Sequence, residues 1–477
     1  MAMEEESNKL HVAMLPWSAF GHIIPFLELA KFIAQKGHKV TFISTPRNID
    51  RLPEIPPNLT DSITLFKIRF HRVDGLPENA EATMDIRTDL EMSLLKKAYD
   101  GLQPELTRFL ETALPDWFIH DFNPYWIQPI ARNLGVKTAF FSIINAWTYG
   151  FFGPTEMLIE GTDDRSKAED FLVPPKWVPF ENKVAFKIHE ANWTLGAIKE
   201  NESGFSDTYR IGMISKNSDL IIFRHCYEFE GEWLKLLNEL YPRPVIPAGL
   251  MPPQFSHNPI DDDKNEAWIS IKQWLDGQNP GSVVYVALGS EVSPSQNDIT
   301  KLALGLELSM VPFFWVLRNS SQSGYEPSDS LKLPHGFEER INGRGIVWKN
   351  WAPQLKILNH GAIGGFLTHC GWGSTIEGLM FGHPMIMLPF VVDQGLNARV
   401  LEDKQVGVEV PRNEQDGSYS RDSVAETVKL VMAEDEGKKF KEKAKEMEAI
   451  FGNRELHDAY LHKVVEYLQE YRHKSMD

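Results

Sequence analysis

Residues 351–394, WAPQLKILNHGAIGGFLTHCGWGSTIEGLMFGHPMIMLPFVVDQ, constrain the fold of this chain more than any other stretch. An apolar run at residues 363–368 predicts a buried strand, residues 369–373 a tight loop, and residues 374–382 a helix. Residues 385–390 predict a second strand. A helix that begins directly after a strand presents free backbone N–H groups and the positive end of its dipole, and both favour a phosphate. The pattern therefore predicts an α/β fold that binds a phosphate-bearing ligand here.

The size and charge of the chain narrow the possibilities further. At 477 residues the chain is longer than one hydrophobic core usually organises, so we expect two domains. Its 42% apolar and 24% charged residues are typical of an ordinary soluble globular protein. The formal net charge of −17 argues against a nucleic-acid-binding protein, because such proteins carry a basic face.

Cysteine usage and the N-terminus indicate the compartment. Cys226 and Cys370 are far apart in the sequence, which leaves no disulfide framework and no cysteine-based zinc site. The N-terminal segment MAMEEESNKL is acidic and polar, whereas a signal peptide would be basic and then apolar. No apolar stretch approaches the length of a membrane span. We therefore expect a cytoplasmic protein.

The first half of the chain alternates predicted strands and helices, which implies a parallel sheet with right-handed crossovers. Strands are predicted at residues 11–17, 38–44, 116–119, 137–142, 218–223 and 244–248, and helices at residues 25–35, 90–110 and 126–134. Pro25 suits the first turn of its helix, where a missing N–H costs nothing. Residues 146–205 are irregular, and their aromatic side chains are expected either to pack in the core or to line an apolar pocket. These side chains are Trp147, Tyr149, Phe151, Phe152, Trp177 and Trp193.

The second half repeats the same alternation after a linker. Residues 251–265 are rich in Pro, Asp and Asn, which is typical of a segment between domains. Further strands are predicted at residues 282–288, 313–317 and 345–348, helices at residues 298–309, 421–432, 438–451 and 456–471, and a surface loop at residues 319–335.

Several polar side chains of the central stretch lie at predicted strand exits or helix starts, on the edge where open α/β sheets bind ligands. Each has a structural explanation as well: ordinary burial or exposure for Trp351, Gln354 and His369, an S-x-x-E capping box for Ser374 and Glu377, and a helix cap for Asp393 and Gln394. Their convergence on one edge favours a ligand site.

The same stretch resembles, over its whole length, the signature box of plant UDP-dependent glycosyltransferases of small molecules, with the marks W-A-P-Q, T-H-C-G-W, S-T-x-E and D-Q. The rest of the chain fits this family in length and in the order of its landmarks. The resemblance implies the GT-B fold, an α/β arrangement of two facing Rossmann-like domains with a cleft between them. The implied parts are an acceptor-binding domain (residues 1–250), a linker (251–265), a UDP-sugar-binding domain (266–455) and a C-terminal helix (456–477) that packs back on the first domain.

The resemblance also implies which residues contact the UDP-sugar. The implied contacts are Trp351, Ala352 and Gln354 at the uracil, Glu377 at the ribose, Ser290, His369, Trp372 and Ser374 at the diphosphate, and Asp393 and Gln394 at the sugar. Glutamine at the last position is associated with glucose donors. Gly373 also lies in the implied donor-binding loop, and it departs from the family, which usually has Asn at this position. A side-chain donor near the phosphates and sugar is therefore absent. The G-W-G-S-T variant and the N-terminal HVAMLPWSAFGHIIPF resemble the subgroup that adds a sugar to a sugar already present on a plant glycoside.

His22 is predicted to be the catalytic base, because it lies between a strand exit and a helix start on the first domain. Asp121 follows another strand of the same sheet and matches the family's orienting carboxylate. Asp116 is the alternative, although it should lie at the opposite end of the strand. His22 would take the proton of an acceptor hydroxyl as that oxygen attacks the anomeric carbon, which inverts this centre.

The predicted reaction uses no metal and no cofactor other than the donor substrate, UDP-glucose. Residues 261–263, Asp-Asp-Asp, fit a D-x-D metal motif formally, but a solvated acidic run in the linker is the preferred interpretation. The expected acceptor is a lipophilic terpenoid, steroid or flavonoid glycoside, and the protein is expected to be a monomer that binds no nucleic acid. The alternatives are direct transfer to an aglycone and a catalytically silent nucleotide-sugar-binding protein. A nicotinamide-dependent dehydrogenase is disfavoured, because W-S-A-F-G-H lacks G-x-G-x-x-G.

Overall fold

Two parallel β-sheets form the framework of the molecule. The computed structural model describes residues 9–255, 265–289, 292, 294–317 and 331–474. The strands of the first sheet are β1 (His11–Leu15), β2 (Lys39–Ser44), β3 (Ile63–Lys67), β4 (Trp117–His120), β5 (Lys137–Ser142), β6 (Leu220–Phe223) and β7 (Val245–Pro247). The strands of the second sheet are β8 (Val283–Ala287), β9 (Phe313–Val316), β10 (Gly345–Trp348), β11 (Ile363–Thr368), β12 (Met385–Met387) and β13 (Gly407–Glu409).

Helices connect these strands along the whole chain. Around the first sheet they are Phe20–Gln35, Pro46–Asp50, Asp89–Asp100, Gln103–Ala113, Ile127–Asn133, Ala146–Phe152, Thr155–Glu160, Ile188–Ala197, Asp207–Asn217 and Tyr227–Leu240. Those that follow are Glu266–Asp276, Gln296–Ser309, Phe337–Arg340, Gln354–Leu358, Trp372–Leu379, Gln394–Asp403, Arg421–Met432, Lys438–Phe451 and Arg454–Glu470. Short 3₁₀ turns lie at Pro57–Leu59, Thr83–Asp85, Ala168–Phe171 and Asp435–Gly437.

The order of the strands reverses direction at one point in each sheet. The first sheet has the order β3-β2-β1-β4-β5-β6-β7 and the second the order β10-β9-β8-β11-β12-β13. The chain therefore leaves β1 and β4 on opposite sides of one crevice, and β8 and β11 on opposite sides of another. Open parallel sheets bind ligands in such crevices, at the carboxyl ends of the strands. The residues that follow these four strands are thus placed to form sites.

Buried strands explain why most of the sheet could be predicted. All four residues of β4 and of β6 are buried, as expected for parallel strands covered on both faces. Such strands appear in the sequence as continuous apolar runs. Two strands were missed, β3 and the three-residue β13, and both lie at the edges of their sheets; β3 has a largely exposed or half-exposed sequence, ITLFK. An edge strand has only one neighbour and can carry polar residues, so its hydrophobic signal is weak.

The helix after β1 begins at Phe20, not at residue 25 as predicted. Pro25 therefore lies inside the helix and not in its first turn. A residue before proline is biased away from helical backbone angles, which is why the sequence favoured the later start. The correction places His22 within the first turn, where its backbone N–H donates to the carbonyl of Ala19 at 2.8 Å.

Two other predicted segments are wrong in their detail. The single helix predicted for residues 90–110 is two helices, Asp89–Asp100 and Gln103–Ala113, separated near Gly101. Residues 146–205, predicted to be irregular, contain the helices Ala146–Phe152, Thr155–Glu160 and Ile188–Ala197. The high aromatic content of this segment hid its helical periodicity.

The last helix, Arg454–Glu470, packs against the first sheet. Its Val464 and Leu468 belong to the same buried cluster as β1, and the carbonyl of Leu468 accepts the indole N–H of Trp117 at 2.8 Å. Residues 256–264, which include most of the predicted linker and the Asp-Asp-Asp run, lie outside the described residues, as does most of the loop predicted at 319–335. Every helix in the described ranges is too short or too polar to cross a lipid bilayer.

Candidate active site

A histidine–aspartate pair occupies the crevice of the first sheet. His22 follows β1 and Asp121 follows β4, and Nδ1 of His22 lies 2.8 Å from Oδ2 of Asp121. Because a carboxylate can only accept, Nδ1 carries the hydrogen and Nε2 is left with its lone pair. Nε2 has no hydrogen-bond partner among the residues described. This is the geometry required of a general base.

Backbone N–H groups fix the carboxylate of this pair. Asp121 is only 2% exposed. Its Oδ2 also accepts from the backbone N–H of Trp17 at 3.1 Å, and its Oδ1 accepts from that of Phe122 at 2.8 Å. The ring of Phe122 lies 6.1 Å from the ring of His22. The imidazole is therefore held from behind by a carboxylate that cannot rotate freely.

Asp116, the alternative orienting carboxylate, is excluded by its position. It lies before β4, at the end of the strand opposite to Asp121. Its Oδ2 accepts from the backbone N–H of His11 at 2.7 Å, and its Oδ1 pairs with Nε of Arg472 at 2.6 Å. Asp116 thus ties the start of the chain to its end and has no part in the crevice.

The helix after β11 begins earlier than predicted. It spans Trp372–Leu379 with Gly371 at the N-cap, so Ser374 is its third residue. The expected capping box of Ser374 and Glu377 is therefore wrong, and no side chain caps this helix. The first N–H groups of a helix have no intrahelical acceptor, so they remain able to bind an anion. The side chains of Ser374 and Glu377 are correspondingly free of a capping role.

His369 ends β11 and is held between two glycines. A Cβ on Gly289 would lie 2.5 Å from Cε1 of His369, and one on Gly371 would lie 2.4 Å from its Nε2. Both positions therefore exclude a side chain while the imidazole is in place. Burial lowers the pKa of His369 to about 4, so the ring is neutral near pH 7. A neutral imidazole can donate one hydrogen bond to an anion at the start of the helix.

The indole of Trp372 does not face the diphosphate position to which the sequence assigned it. It is buried, and its Nε1 donates to the backbone carbonyl of Arg224 at 3.2 Å. Its ring packs edge-on against Trp147 at 5.2 Å and contacts Phe229 and Phe451. Only the backbone N–H of Trp372 is available to a ligand. The indole instead joins the two domains.

The residues assigned to the nucleoside come from the segments that follow β10 and β11. Nε2 of Gln354 donates to Oε2 of Glu377 at 2.5 Å, and Oε1 of Gln354 accepts from the hydroxyl of Tyr285 at 3.0 Å. Burial raises the pKa of Glu377, and the hydrogen bond from Gln354 opposes that rise. Ala352 and Gln354 line a cavity of about 70 Å³. Trp351 is 57% exposed, so its ring is available as a stacking surface.

Asp393 brings the two halves of the site together. It precedes the helix Gln394–Asp403 but makes no side-chain cap, so the capping explanation is wrong. Burial raises the pKa of Asp393, and a hydrogen bond from Asn397 opposes that rise. The side chain of Asn397 also accepts from Asn145 and Trp147 of the first domain, so Asp393 is linked to that domain through one amide.

Gln394 holds the loop in front of its own helix. Its Oε1 accepts from the backbone N–H groups of Phe390 at 2.9 Å and Val391 at 3.0 Å. The side chain is 5% exposed. Only the amide nitrogen is left over for a sugar hydroxyl, so Gln394 would act as a donor there.

Two positions of the predicted site need separate comment. Ser290, assigned to the diphosphate, lies outside the residues described, directly after Gly289. A Cβ on Gly373 would meet no atom within 4 Å, so the space that a family asparagine would fill is open.

Asn397 is a site residue that the sequence reasoning missed. It is fully buried and contacts Asp393 and Cys370 on one side, and Asn145 and Trp147 of the first domain on the other. The only local signal was its spacing of four residues from Asp393, which places both on one face of a helix.

The aromatic segment serves mainly as core. Trp147, Tyr149 and Phe151 are buried, whereas Phe152 lines a cavity of about 350 Å³ beside Tyr209. None of the predicted site residues lines that cavity. Within the described ranges, no three His, Cys, Asp or Glu side chains come together in a way that could hold a metal ion.

Comparison with known proteins agrees with this geometry. A family model described as UDP-glucoronosyl and UDP-glucosyl transferase matches residues 212–473. UDP-glycosyltransferase 91D1 of Stevia rebaudiana is 49% identical over 98% of this chain and 94% of its own length. Soyasaponin III rhamnosyltransferase of Glycine max is 44% identical over 99% of this chain and 98% of its own length.

A solved structure shows the same fold. The crystal structure of Glycyrrhiza uralensis UGT73P12 complexed with glycyrrhetinic acid 3-O-monoglucuronide has a TM-score of 0.76 at 24% identity, and the match covers 97% of this chain and 96% of that one. The predicted GT-B fold is thereby confirmed, and the dehydrogenase alternative is excluded. Matched across nearly its whole length by these relatives, the chain belongs to the UDP-glucoronosyl and UDP-glucosyl transferase family and is a UDP-glycosyltransferase.

Proposed function

We propose that this enzyme transfers glucose from UDP-glucose to a sugar hydroxyl of a lipophilic plant glycoside, with inversion and without a metal ion. The observation that carries the proposal is the His22–Asp121 pair, 2.8 Å apart, in which Nε2 of His22 is left free to accept a proton. It supplies a base on the acceptor side.

The proposed reaction is a single displacement. Nε2 of His22 takes the proton of the acceptor hydroxyl while that oxygen bonds to the anomeric carbon. The bond from this carbon to the diphosphate oxygen breaks at the same time, and UDP leaves with the electron pair. Asp121 stabilises the imidazolium that forms, in the way a triad carboxylate does. The negative charge on UDP faces His369 and the free N–H groups of the helix Trp372–Leu379.

The assignment of a glycoside acceptor is supported by the relatives and by the loop sequence. Soyasaponin III rhamnosyltransferase, by its name, acts on a saponin, which is already a glycoside. The G-W-G-S-T variant at residues 371–375 resembles the sugar-to-sugar subgroup. The same relative favours UDP-rhamnose as a second candidate donor, whereas Gln394 favours UDP-glucose.

A product screen tests both choices. Purified enzyme is incubated with UDP-glucose or UDP-rhamnose and with a terpenoid, steroid or flavonoid aglycone or its monoglucoside, and the products are identified by mass spectrometry. We expect a diglycoside from the monoglucoside and UDP-glucose. If the aglycone is glycosylated and the monoglucoside is not, the sugar-to-sugar assignment is refuted. If UDP-rhamnose gives product and UDP-glucose does not, the donor assignment is refuted.

Metal independence has its own test. The enzyme is dialysed against EDTA, and transfer is measured with and without added Mn²⁺ or Mg²⁺. We expect the same rate in all samples, because the charge on UDP is met by His369 and by helix N–H groups. A rate that is lost in EDTA and restored by Mn²⁺ would contradict this part of the proposal.

A further inference from the structure

The side chain of Asn397 joins the two domains. It is 0% exposed and makes four hydrogen bonds. Its Oδ1 accepts from Nδ2 of Asn145 at 2.7 Å and from Nε1 of Trp147 at 2.8 Å. Its Nδ2 donates to the carbonyl of Cys370 at 3.0 Å and to Oδ2 of Asp393 at 3.1 Å. Every donor and acceptor of this amide is therefore used.

The chemistry of the partners fixes the orientation of the amide. An indole N–H can only donate, so the atom facing Trp147 must be the oxygen. A backbone carbonyl can only accept, so the atom facing Cys370 must be the nitrogen. In the flipped orientation the amide nitrogen would face the indole N–H and the amide oxygen would face the carbonyl oxygen, and neither contact is a hydrogen bond. Asn397 therefore has one stable orientation, in which an N–H hydrogen points at Asp393.

The two pairs of hydrogen bonds lie on opposite sides of the cleft. Asn145 and Trp147 belong to the first domain and come from the start of the helix Ala146–Phe152. Cys370 and Asp393 belong to the second domain, on the loops after β11 and β12. A separation of the domains would remove both acceptor contacts of Asn397 while leaving the contacts within the second domain.

We propose that Asn397 is a positioning residue that fixes the carboxylate of Asp393 for the donor sugar when the first domain closes on the second. The inference rests on the proposed role of Asp393 at the sugar. Asn397 touches no substrate itself. Trp147 holds the Asn397 amide, and this amide orients the carboxylate of Asp393. Asp393 is therefore correctly placed for the sugar only when the two domains are in contact.

The backbone beside this amide supports a positioning role. Cys370, whose carbonyl accepts from Asn397, has a φ of +66°, a value that a side chain other than glycine rarely adopts. The hydrogen bond from Asn397 stabilises this conformation, and the same loop leads into the phosphate-facing helix Trp372–Leu379. One amide therefore fixes the strained loop at Cys370 and the carboxylate of Asp393 relative to each other.

The first test compares the binding of UDP and of UDP-sugar by calorimetry. Asn397→Asp retains the oxygen that faces Trp147 but replaces the donor to Asp393 by an oxygen. We expect the affinity for UDP-glucose to fall about 10- to 100-fold, the effect of losing a hydrogen bond to a charged group. The affinity for UDP, which has no sugar, is expected to fall much less, because UDP depends only on the loop that the Asn397–Cys370 hydrogen bond stabilises and not on Asp393. Asn48→Asp, which changes another fully buried asparagine whose side-chain nitrogen donates to the carbonyl of Glu81, controls for the introduction of a buried carboxyl.

The second test moves to the other domain and guards against misfolding of the first variant. Trp147→Phe keeps an aromatic ring at this position but removes the N–H donor together with part of the indole volume. We expect a two- to tenfold weaker binding of UDP-glucose and little change for UDP, although this residue is on the acceptor side. Trp268→Phe is the matched control, because the N–H of Trp268 is buried and has no hydrogen-bond partner among the described residues. This substitution reduces the ring in the same way without removing a hydrogen bond.

The outcomes separate this inference from the proposed function. A selective loss of UDP-sugar affinity in both variants supports it. Equal losses for UDP and UDP-glucose, or no loss in either variant, overturn it. The binding experiments are run in parallel with UDP-rhamnose, and the ratio is taken with the sugar that the wild type transfers. Failure of glucose transfer by the wild type would therefore contradict the proposed donor without deciding the role of Asn397.

Discussion

Nδ1 of His22 lies 2.8 Å from Oδ2 of Asp121, although 99 positions separate the two residues in the sequence. The pair forms because β1 and β4 are neighbours in the sheet and end at the same edge. The orientation of the imidazole thus depends on one carboxylate that two backbone N–H groups hold in place. The catalytic role of this pair can be tested directly.

Removal of the base should abolish most of the transfer. For His22→Ala we expect kcat to fall by about 10²- to 10⁴-fold, the usual contribution of a general base. For Asp121→Asn we expect a similar or smaller fall in kcat, because the amide offers its hydrogen to Nδ1 and favours the wrong tautomer. Affinity for UDP, measured by calorimetry, should be nearly unchanged in both.

The control for this pair is Asp116→Asn, at the other end of the same strand. It loosens contacts to His11 and Arg472 and should lower the free energy of unfolding while leaving kcat close to that of the wild type. Unchanged product formation by His22→Ala would disprove the catalytic assignment.

The Glu377→Gln substitution should stabilise the fold and weaken nucleotide binding. Burial raises the pKa of Glu377 above its ordinary value, so the folded protein binds this proton more readily than the unfolded chain does. The carboxyl therefore costs stability as the pH rises through its folded pKa. We expect urea unfolding to show the variant gaining stability relative to the wild type as the pH rises above the ordinary carboxyl pKa. Calorimetry should show UDP binding about tenfold more weakly, because a charged acceptor is lost.

Glu307→Gln provides the opposite control for that experiment. The Arg340 guanidinium lowers the pKa of Glu307, so its ionised form stabilises the fold. This variant should lose stability relative to the wild type above the ordinary carboxyl pKa and should bind UDP normally. A loss of stability in both variants would mean that the sign assigned to Glu377 is incorrect.

Gly373 and Gly371 should respond in opposite ways to added side chains. Gly373→Asn is expected to fold as the wild type does, because a Cβ there meets no atom within 4 Å. Its amide can add a hydrogen bond near the diphosphate, so we expect UDP-glucose to bind about two- to tenfold more tightly. Gly371→Ala places a Cβ 2.4 Å from Nε2 of His369 and should weaken both UDP binding and thermal stability. A destabilised Gly373→Asn variant would contradict the open space at this position.

Buried histidines should make the protein sensitive to mild acid. Burial lowers the pKa of His225 to about 3 and that of His120 and His369 to about 4. The unfolded chain binds these protons near pH 6.5, so stability is present above that pH and is lost as the pH falls toward 4. Each group should remove about 2 kcal/mol from the free energy of unfolding between pH 8 and pH 5.

Denaturant titrations at pH 8 and pH 5 measure this loss. His225→Gln should reduce the difference between the two pH values by about 2 kcal/mol, because one depressed histidine is removed. His335→Gln, at an exposed position, should leave the difference as it is in the wild type. Equal behaviour of the two variants would contradict the assignment.

Much of the framework could be predicted from local patterns. The predicted bounds of the strand at residues 363–368 and of the helices at 421–432 and 438–451 agree with the structure. These elements are buried runs or strongly periodic helices, whose signals are contained within a few neighbouring residues. Edge strand β3 and the helices of residues 146–205 were missed because exposure or high aromatic content masks the same signals.

Helix starts were predicted less well, and this matters for the site. The helix after β1 begins at Phe20 and the one after β11 at Trp372, each earlier than Pro25 and Ser374 had suggested. Proline and serine have strong preferences at helix ends, but tertiary packing overrode both here. His22 thereby entered a helix, and Ser374 lost its capping role.

The sequence by itself determined the chemistry available to this protein. Turn formation and strand burial are local properties, so they can be predicted from short stretches of sequence. These local signals place the predicted phosphate-binding and sugar-binding groups, including the box from Trp351 to Gln394, at the edges of two parallel sheets. Only the tertiary structure decided which of these groups act together. The pairing of His22 with Asp121, the burial of the Trp372 indole and the four hydrogen bonds of Asn397 join segments far apart in the chain. Such contacts depend on how the sheets order their strands and close on each other, and no local pattern encodes that.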